Sequence, residues 1–458
     1  MEKEQKFLFE KEKISKAIIK LALPSIAGQI ILVIYNMADT FFVGLTHSDS
    51  MIAAVTVCLP AFMFLSAISN LFGIGGGAAY ARALGKKHDK RCDNIAAHAL
   101  YGCLLVTGIY SFLAFLFRDF FITVLGGSHP EVHRIAVQYL LVTVVFGGLT
   151  TACSTLFSHL IRSEGRSASA SAGIIMGGIL NIILDPLFMF VLLPKGNEVL
   201  GAAIATALSN LIACVYFWIL ITKNKLFRFR YNENAFADGS AREIIMTGLP
   251  ACLMTLFENI SYAVLDGLMA FYGIAAQAGV GVAKKINMLA HSIVRGMAQG
   301  VLPLLAYSYS SHRSNRLKQT IRISSLSAGI VSLLLTVLNL TCGKIFVGMF
   351  VEAGSWSFSY GVLFLKILCI GCPFSGIAYT IISFFQAVNE SAKSFLLAIF
   401  RKGALDIPMM YLLNAFIGMA GIVASTPLAD IACCVVAVLL TGRWFKAYDL
   451  KMMQRQAA

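Results

Sequence analysis

The chain has 458 residues, of which 58% are hydrophobic and 13% are charged, and its mean hydropathy is +0.77. Soluble domains are about 45–50% apolar and about 25% charged, so this composition excludes an ordinary soluble protein and indicates a polytopic membrane protein. The formal net charge of +14 does not indicate a nucleic-acid partner, because most lysines and arginines fall in the termini and in alternate loops. This asymmetry is the positive-inside pattern, and it predicts that both termini are cytoplasmic.

The apolar segments are long enough to cross a bilayer, which takes about 20 helical residues. The first run follows a charged N-terminal segment and is too long for a cleaved signal sequence. We therefore predict an all-α polytopic protein with twelve transmembrane helices. Six predicted spans of the first half lie near 15–43, 52–80, 93–117, 135–157, 168–192 and 200–221. Six spans of the second half lie near 243–271, 275–305, 321–347, 358–385, 394–417 and 419–442.

The longest polar linker separates the sixth span from the seventh and divides the chain into two lobes. The predicted units are an N-lobe at 1–222, a cytoplasmic linker at 223–241 and a C-lobe at 242–458. The two lobes look like a repeat: Leu-Pro at 23–24 recurs at 249–250, and Asn181 corresponds to Asp406. Six spans per lobe give both lobes the same orientation, so they should be related by a pseudo-two-fold axis along the membrane normal. Transporters with this arrangement bind their substrate between the halves.

Polar side chains of the N-lobe should meet at one depth in the membrane. A carboxylate at bilayer depth costs at least about 2.5–3.5 kcal/mol, so intramembrane acids usually have a partner or a function. Counting about 1.5 Å of rise per residue places Asp39, Asn181 and Asp185 in the outer halves of their spans. Tyr139 and Thr206 reach a similar depth from the opposite direction. Such a group can hold Na⁺ or share a proton between its two carboxylates.

The C-lobe carries its own intramembrane charges. Glu258 lies near the middle of the seventh span and Asp266 lies further out. The basic residues expected inside spans are Lys284, Lys285, Arg295 and Lys366. Opposite charges at matching depth suggest buried ion pairs, such as Glu258 with a lysine of the eighth span. Glu258, Asp266, Lys284 and Lys366 are therefore candidates for substrate binding as well as for structural pairing.

Several segments resemble the multidrug and toxic compound extrusion (MATE) transporters, and the likeness covers essentially the whole chain. One of them, QGVLPLLAY at 299–307, is similar to the MepA-type bacterial branch. The other segments are LPSIAGQIILVIYNMADTFFVG (23–44), NLFGIGGGAAYARALG (70–85), RSEGR (162–166), NIILDP (181–186) and GAAIATALSN (201–210). The spacing from Pro250 to Glu258 is also similar to that of the family.

The resemblance implies a two-lobe antiporter in the bacterial inner membrane that exports cationic or amphipathic small molecules in exchange for H⁺ or Na⁺. It implies a cation-coupling site at Asp39, Asn181, Asp185 and Thr206, with Tyr139 beside it. Glu258 matches the C-lobe glutamate of NorM-like members, but the tenth span lacks their aspartate, which favours coupling in the N-lobe. The resemblance also implies a monomer. We expect no cofactor and no metal other than Na⁺, and because no nucleotide-binding GxxxxGK[ST] motif occurs, transport must draw on an ion gradient.

Two other functions remain open from the sequence. A lipid-linked or polysaccharide flippase of the same superfamily would have a cationic cavity, for which the intramembrane lysines and Arg295 are candidates. A membrane prenyltransferase would use the spacing of Asn181 and Asp185 to hold diphosphate through Mg²⁺. That enzyme needs a second aspartate-rich cluster, which the sequence does not contain, so we expect a transporter and not an enzyme.

Overall fold

The structure is a computed structural model that describes residues 2–232 and 235–457, and these ranges contain helices and no strands. The helices of the first half are α1 (Glu2–Glu10), α2 (Ile14–Gly44), α3 (Asp49–Gly85), α4 (Asp89–Leu116), α5 (Arg118–Val124), α6 (Pro130–Leu140), α7 (Gly148–Ser163), α8 (Ser167–Pro186) and α9 (Glu198–Asn224). Those of the second half are α10 (Ser240–Ala270), α11 (Ile274–Ser310), α12 (Ser314–Gly348), α13 (Trp356–Cys369), α14 (Cys372–Ala387), α15 (Ser391–Ile399), α16 (Asp406–Ile417) and α17 (Met419–Ala457).

Each of the twelve predicted spans is helical. In the described part of the chain, eight helices are long and apolar enough to cross a membrane, and ten spans result if each bent helix pair counts as one. The other two predicted spans are α11 and the α15–α16 stretch, which contain intramembrane charges. Lys284, Lys285 and Arg295 lie on α11, and Arg401 and Lys402 lie between α15 and α16.

The two lobes share a broken helix at corresponding places. Helix α7 bends by 47° from the α6 stretch that ends at Phe146, and α14 bends by 46° from α13. A π-helical turn at Leu141–Phe146 precedes the first break, and Cys369 and Cys372 border the second. Two breaks of nearly equal angle at equivalent positions give structural support to the repeat inferred from the sequence.

Both termini lie at the same end of the helices, which we call the terminus face. Helix α1 contacts the α11–α12 turn there, since Arg313 Nη2 lies 2.9 Å from Glu10 Oε2. The end of α17 contacts α12 at the same face, where Lys318 Nζ lies 2.6 Å from Asp449 Oδ1. The cytoplasmic assignment of this face remains a prediction.

The lobes meet along two tightly packed helix pairs, α3 with α10 and α2 with α11. A Cβ on Gly248 would lie 1.8 Å from the Leu71 carbonyl oxygen, and one on Gly300 would lie 2.6 Å from the Leu21 carbonyl oxygen. Glycine is needed at both positions because the backbones approach too closely for a side chain. These contacts belong to the halves of the helices nearer the terminus face, so the lobes are closed against each other there.

The inter-lobe segment between α9 and α10 folds back onto α4. Asn94 Nδ2 donates to Asp238 Oδ2 at 2.8 Å, and the Asn232 backbone N–H donates to Asn94 Oδ1 at 2.9 Å. Partial burial alone would raise the pKa of Asp238, but hydrogen bonds from Ser240 and Asn94 hold it below its usual range. This docking makes the segment part of the N-lobe surface.

One assignment from the sequence is wrong. The basic residues expected inside spans do not include Arg401 and Lys402, whereas the structure buries their side chains to 0% and 2% exposure within the eleventh predicted span. They occupy a π-helical turn, Phe400–Leu405, between α15 and α16. A buried carboxylate compensates the charge of each residue and so allows it to lie inside a span. A count of basic residues along the sequence does not detect such pairing.

Candidate cation and substrate sites

The N-lobe candidates lie around the end of α8. Asn181 and Asp185 are one helical turn apart, and both are buried, at 2% and 0% exposure. Helix α8 ends at Pro186, and a π-helical turn, Leu187–Leu192, continues the chain. π-turns are frequent at functional sites because they break the regular backbone ladder. The proline and the turn therefore place the Asp185 carboxylate at an irregular point of the span.

The Asn181 amide connects the polar groups of α8 and α9. Its Nδ2 donates to Asp185 Oδ1 at 3.4 Å and to Thr206 Oγ1 at 3.3 Å. The Asn181 Oδ1 oxygen is buried and has no hydrogen-bond donor in the described structure. Three of the five predicted coupling residues are thus in direct contact.

Asp39 and Tyr139 complete the group from α2 and α6. The Asp39 carboxyl lies close enough to the Asp185 carboxyl to interact with it electrostatically, and the Tyr139 side chain interacts in the same way with both. Tyr35 lies in the same electrostatic range of the two carboxylates. Tyr35 was not predicted from the sequence as a site residue, although its position one turn before Asp39 on the same helix could have indicated it.

In the described structure, this group has unused oxygen acceptors and no basic side chain paired with its acids. Within the described ranges, Asp39 Oδ1, Asn181 Oδ1 and Asp185 Oδ2 are buried without a hydrogen-bond partner, and neither carboxylate has a salt bridge. Two facing carboxylates in a medium of low polarity repel each other unless a cation lies between them or one is protonated. The donor set of carboxylate, amide and hydroxyl oxygens fits Na⁺ as well as H⁺.

In the C-lobe, Glu258 forms an ion pair with an arginine instead of the predicted lysine. Arg295 Nη2 lies 2.5 Å from Glu258 Oε2 and 3.2 Å from the Tyr379 hydroxyl. The Tyr379 hydroxyl donates to Glu258 Oε1 at 3.3 Å. The prediction of a lysine partner was wrong because Lys284 faces Asp266 instead, with which it forms a short ion pair.

Asp406, the counterpart of Asn181, is surrounded by donors. Lys402 Nζ lies 3.0 Å and Ser261 Oγ 2.7 Å from its Oδ2, and Ser425 and Thr426 each donate to its Oδ1 at 3.1 Å. The carboxylate is fully buried. Its acceptors are all occupied, so this position is a closed structural network and not a cation site.

Asp430 forms a second buried ion pair of the C-lobe, although its Oδ2 has no hydrogen-bond donor in the described structure. Arg401 Nε lies 2.6 Å from Asp430 Oδ1, and the guanidinium stacks over the Tyr379 ring at 4.2 Å. His291 Nε2 lies 3.8 Å from Asp430 Oδ2. Through Tyr379 this pair is continuous with Glu258 and Arg295. Each of the three buried acids of this region, Glu258, Asp406 and Asp430, therefore has a basic partner.

The remaining C-lobe candidates do not join this network. Asp266 and Lys284 pair with each other, and the Lys366 side chain is exposed. Within the described residues, Lys366 has no ion pair. The two lobes are therefore electrostatically different: the N-lobe has uncompensated acids, whereas the C-lobe acids have basic partners.

The MatE family profile matches residues 24–187 and 250–412, one match in each half and together most of the chain. The chain belongs to the MatE family. This MATE chain is 29% identical over 444 residues to the multidrug export protein MepA of Staphylococcus haemolyticus, with 96% of each chain covered. It is 28% identical over 446 residues to MepA of Staphylococcus aureus, again with 96% of each covered.

Solved MATE structures share the fold. An outward-facing MATE transporter of the MOP superfamily superposes with a TM-score of 0.89 at 22% identity, covering 96% of this chain and 97% of that one. A point mutant of the Vibrio cholerae MATE transporter VcmN superposes with a TM-score of 0.88 at 19% identity, covering 95% and 97%. These likenesses confirm the two-lobe MATE fold, and the named relatives are export proteins and not enzymes.

Proposed function

We propose that this MATE protein is an antiporter that exports cationic and amphipathic small molecules in exchange for H⁺ or Na⁺. One observation carries the proposal: the carboxylates of Asp39 and Asp185 lie together in the N-lobe with unpartnered oxygens and without a basic partner in the described structure. Such a pair binds a cation or proton readily and changes its charge when it does. We further propose a monomer in the bacterial inner membrane with both termini cytoplasmic.

Ion binding would drive the cycle through its charge. With the site empty, the two carboxylates repel each other, and a proton or Na⁺ entering from the face opposite the termini would remove that repulsion. The conformation that brings the carboxylates together would gain stability, and substrate would be released on that side. Differential ion affinity between the two conformations is what couples ion entry to substrate exit.

The curated relatives support a drug substrate, since both are named multidrug export proteins. A flippase is less favoured because two of the four intramembrane cations that would attract an anionic lipid headgroup are neutralised by acids. Arg295 pairs with Glu258 and Lys284 pairs with Asp266. Export of ethidium-like dyes by a pump-deficient strain that expresses the protein separates the two functions.

The test is dye transport by inside-out vesicles under an imposed pH gradient or an imposed Na⁺ gradient. We expect one of the two gradients to drive transport by the unaltered protein and Asp39→Asn to abolish that dependence. Asp119→Asn is the matched control, because this aspartate is 65% exposed and pairs with Arg118 and His133 but with none of the five site residues. Full gradient-driven transport by D39N at equal protein level would contradict the coupling assignment.

A further inference from the structure

Arg82 on α3 is an N-lobe side chain whose partners belong to the C-lobe. Its Nε donates to Glu243 Oε1 at 2.8 Å and its Nη2 to Thr247 Oγ1 at 2.9 Å, both on α10. Its Nη1 donates to the carbonyl oxygens of Gln386 at 2.7 Å and Ala387 at 3.1 Å, at the end of α14. One guanidinium therefore joins the N-lobe to two helices of the opposite lobe.

The groups that accept hydrogen bonds from Arg82 provide negative charge that stabilises its guanidinium. Helix α14 ends at Ala387, so its last carbonyl groups lack intrahelical donors and carry the negative end of the helix dipole. Glu243 lies in the first turn of α10, where an acid is favoured for the same reason. Arg82 is 4% exposed, so its hydrogen bonds form out of water, where they are strongest.

The contact lies beside another close approach of the two lobes. Gly85, one turn beyond Arg82 on α3, packs so closely on α11 that a Cβ would lie 2.2 Å from Ser310 Oγ. In the described structure, the hydrogen bonds between spans of opposite lobes run from Arg82 and Arg91 at the terminus face to Gln29–Gln299 and Asn70–Thr255 near the middle. Arg82 makes more of these bonds than any of the other residues named.

We propose that Arg82 is the latch that holds the two lobes together at the terminus face, and that its release is a required step of the transport cycle. The inference rests on the proposed alternating access, in which this face must open to admit substrate. Opening separates α3 from α10 and α14, so all four hydrogen bonds of the guanidinium break together. The latch thereby sets the equilibrium between the closed and open states of this face.

The test measures opening at the lobe boundary directly. Ser310→Cys places a thiol at 4% exposure against α3, and its labelling by a charged maleimide, above that of the parent chain, reports opening in the purified full-length protein in detergent. Ser332→Cys is the reference: Ser332 is fully buried inside the C-lobe, and its labelling reports general unfolding. Labelling does not depend on transport, so it remains informative even if dye export fails.

We expect Arg82→Ala to raise the labelling rate of S310C by about tenfold or more, because loss of a buried charged hydrogen-bond set shifts the equilibrium by at least that factor. The rate for S332C should stay unchanged. Arg91→Ala is the matched control, because Arg91 contacts the same carboxylate at 2.6 Å but is 33% exposed, and its effect should stay below about threefold.

An unchanged S310C rate in R82A, or an equal rise in S332C, overturns the latch. If R82A does not yield a monodisperse protein, Arg82→Lys decides: lysine keeps the charge but cannot span the four acceptors, so we expect labelling several times faster than in the parent. An unchanged rate in R82K overturns the proposal as well. Dye export by the unaltered protein, measured separately, tests the proposed function and not the latch.

Discussion

At the level of single residues, the two lobes use equivalent positions for different chemistry. Asn181 and Asp406 correspond in the repeat, yet Asn181 borders unpartnered carboxylate oxygens, whereas Asp406 is satisfied by Lys402 and three hydroxyl groups. The difference arises because Lys402 precedes Asp406 by four residues, about one helical turn, whereas the residue at the corresponding place before Asn181 is Gly177. Uncompensated acids can respond to an ion, while compensated acids hold their helices in place.

This difference predicts a stability effect in the C-lobe. Lys402→Met should lower the free energy of unfolding by about 3–5 kcal/mol, because it leaves the fully buried Asp406 carboxylate without its cation. The double variant Lys402→Met/Asp406→Asn should recover part of that loss, since the uncompensated charge is gone. Apparent melting temperatures of the purified proteins in detergent measure both. Equal melting temperatures for K402M and the parent would show that the three hydroxyl donors suffice.

At the level of the helices, glycine decides how closely the lobes meet. Helices α3 and α10 cross with Gly75 and Gly248 facing the opposite backbone, where a Cβ would lie 2.3 Å and 1.8 Å from a carbonyl oxygen. Gly296 and Gly300 of α11 likewise allow close contact with the backbone of α2. Small residues at a crossing let helix backbones make van der Waals contact, which is a main source of helix association in lipid.

Two glycines of the same helix should therefore respond oppositely to alanine. Gly248→Ala should force α3 and α10 apart and lower the melting temperature, with an overpacking cost of about 1–3 kcal/mol. Gly267→Ala, on the same helix with open space around its Cβ position, should be neutral or stabilising by up to about 1 kcal/mol. Thermal unfolding in detergent compares them. A G248A protein as stable as G267A would refute the close crossing.

In the molecule as a whole, the terminus face is closed by more than the span helices. Helix α1 lies across the boundary: Phe9 is fully buried and stacks on Tyr307 of the C-lobe at 4.9 Å, and a Cβ on Gly165 of the N-lobe would lie 3.1 Å from the Phe9 ring. The Tyr307 hydroxyl donates to Glu10 at 2.7 Å. The N-terminal helix thus packs against both lobes and adds to the closure around Arg82.

The docking of α1 should depend on pH. Burial alone would raise the pKa of Glu10, but the hydrogen bond from Tyr307 and the charge of Arg313 hold it below its ordinary value. A lowered pKa means that the ionised carboxylate stabilises the docked state at neutral pH, and that this stabilisation is lost as the pH falls below about 4. Hydrogen exchange of residues 6–13, corrected for intrinsic rates, should therefore accelerate on acidification.

Glu10→Gln serves as the control for this pH dependence. Its exchange should already be faster at pH 7 and should change little on acidification, because the titrating group is absent. Equal protection of the parent protein at neutral and acidic pH would show that the Glu10 carboxylate does not hold the helix.

The spans, the repeat and the depth of the polar side chains could all be predicted from the amino-acid sequence. Each follows from one-dimensional quantities: apolar length against bilayer thickness, and rise per residue along a helix. The same reasoning predicted that Asn181, Asp185 and Thr206 lie close together. Residues one helical turn apart share a face of the helix, and residues at equal depth on adjacent helices can be in contact. Which acids have cations, in contrast, became visible only in three dimensions. Glu258 pairs with Arg295, and Arg401 is buried against Asp430, because pairing depends on helix rotation and on local π-turns, which hydropathy and spacing do not encode.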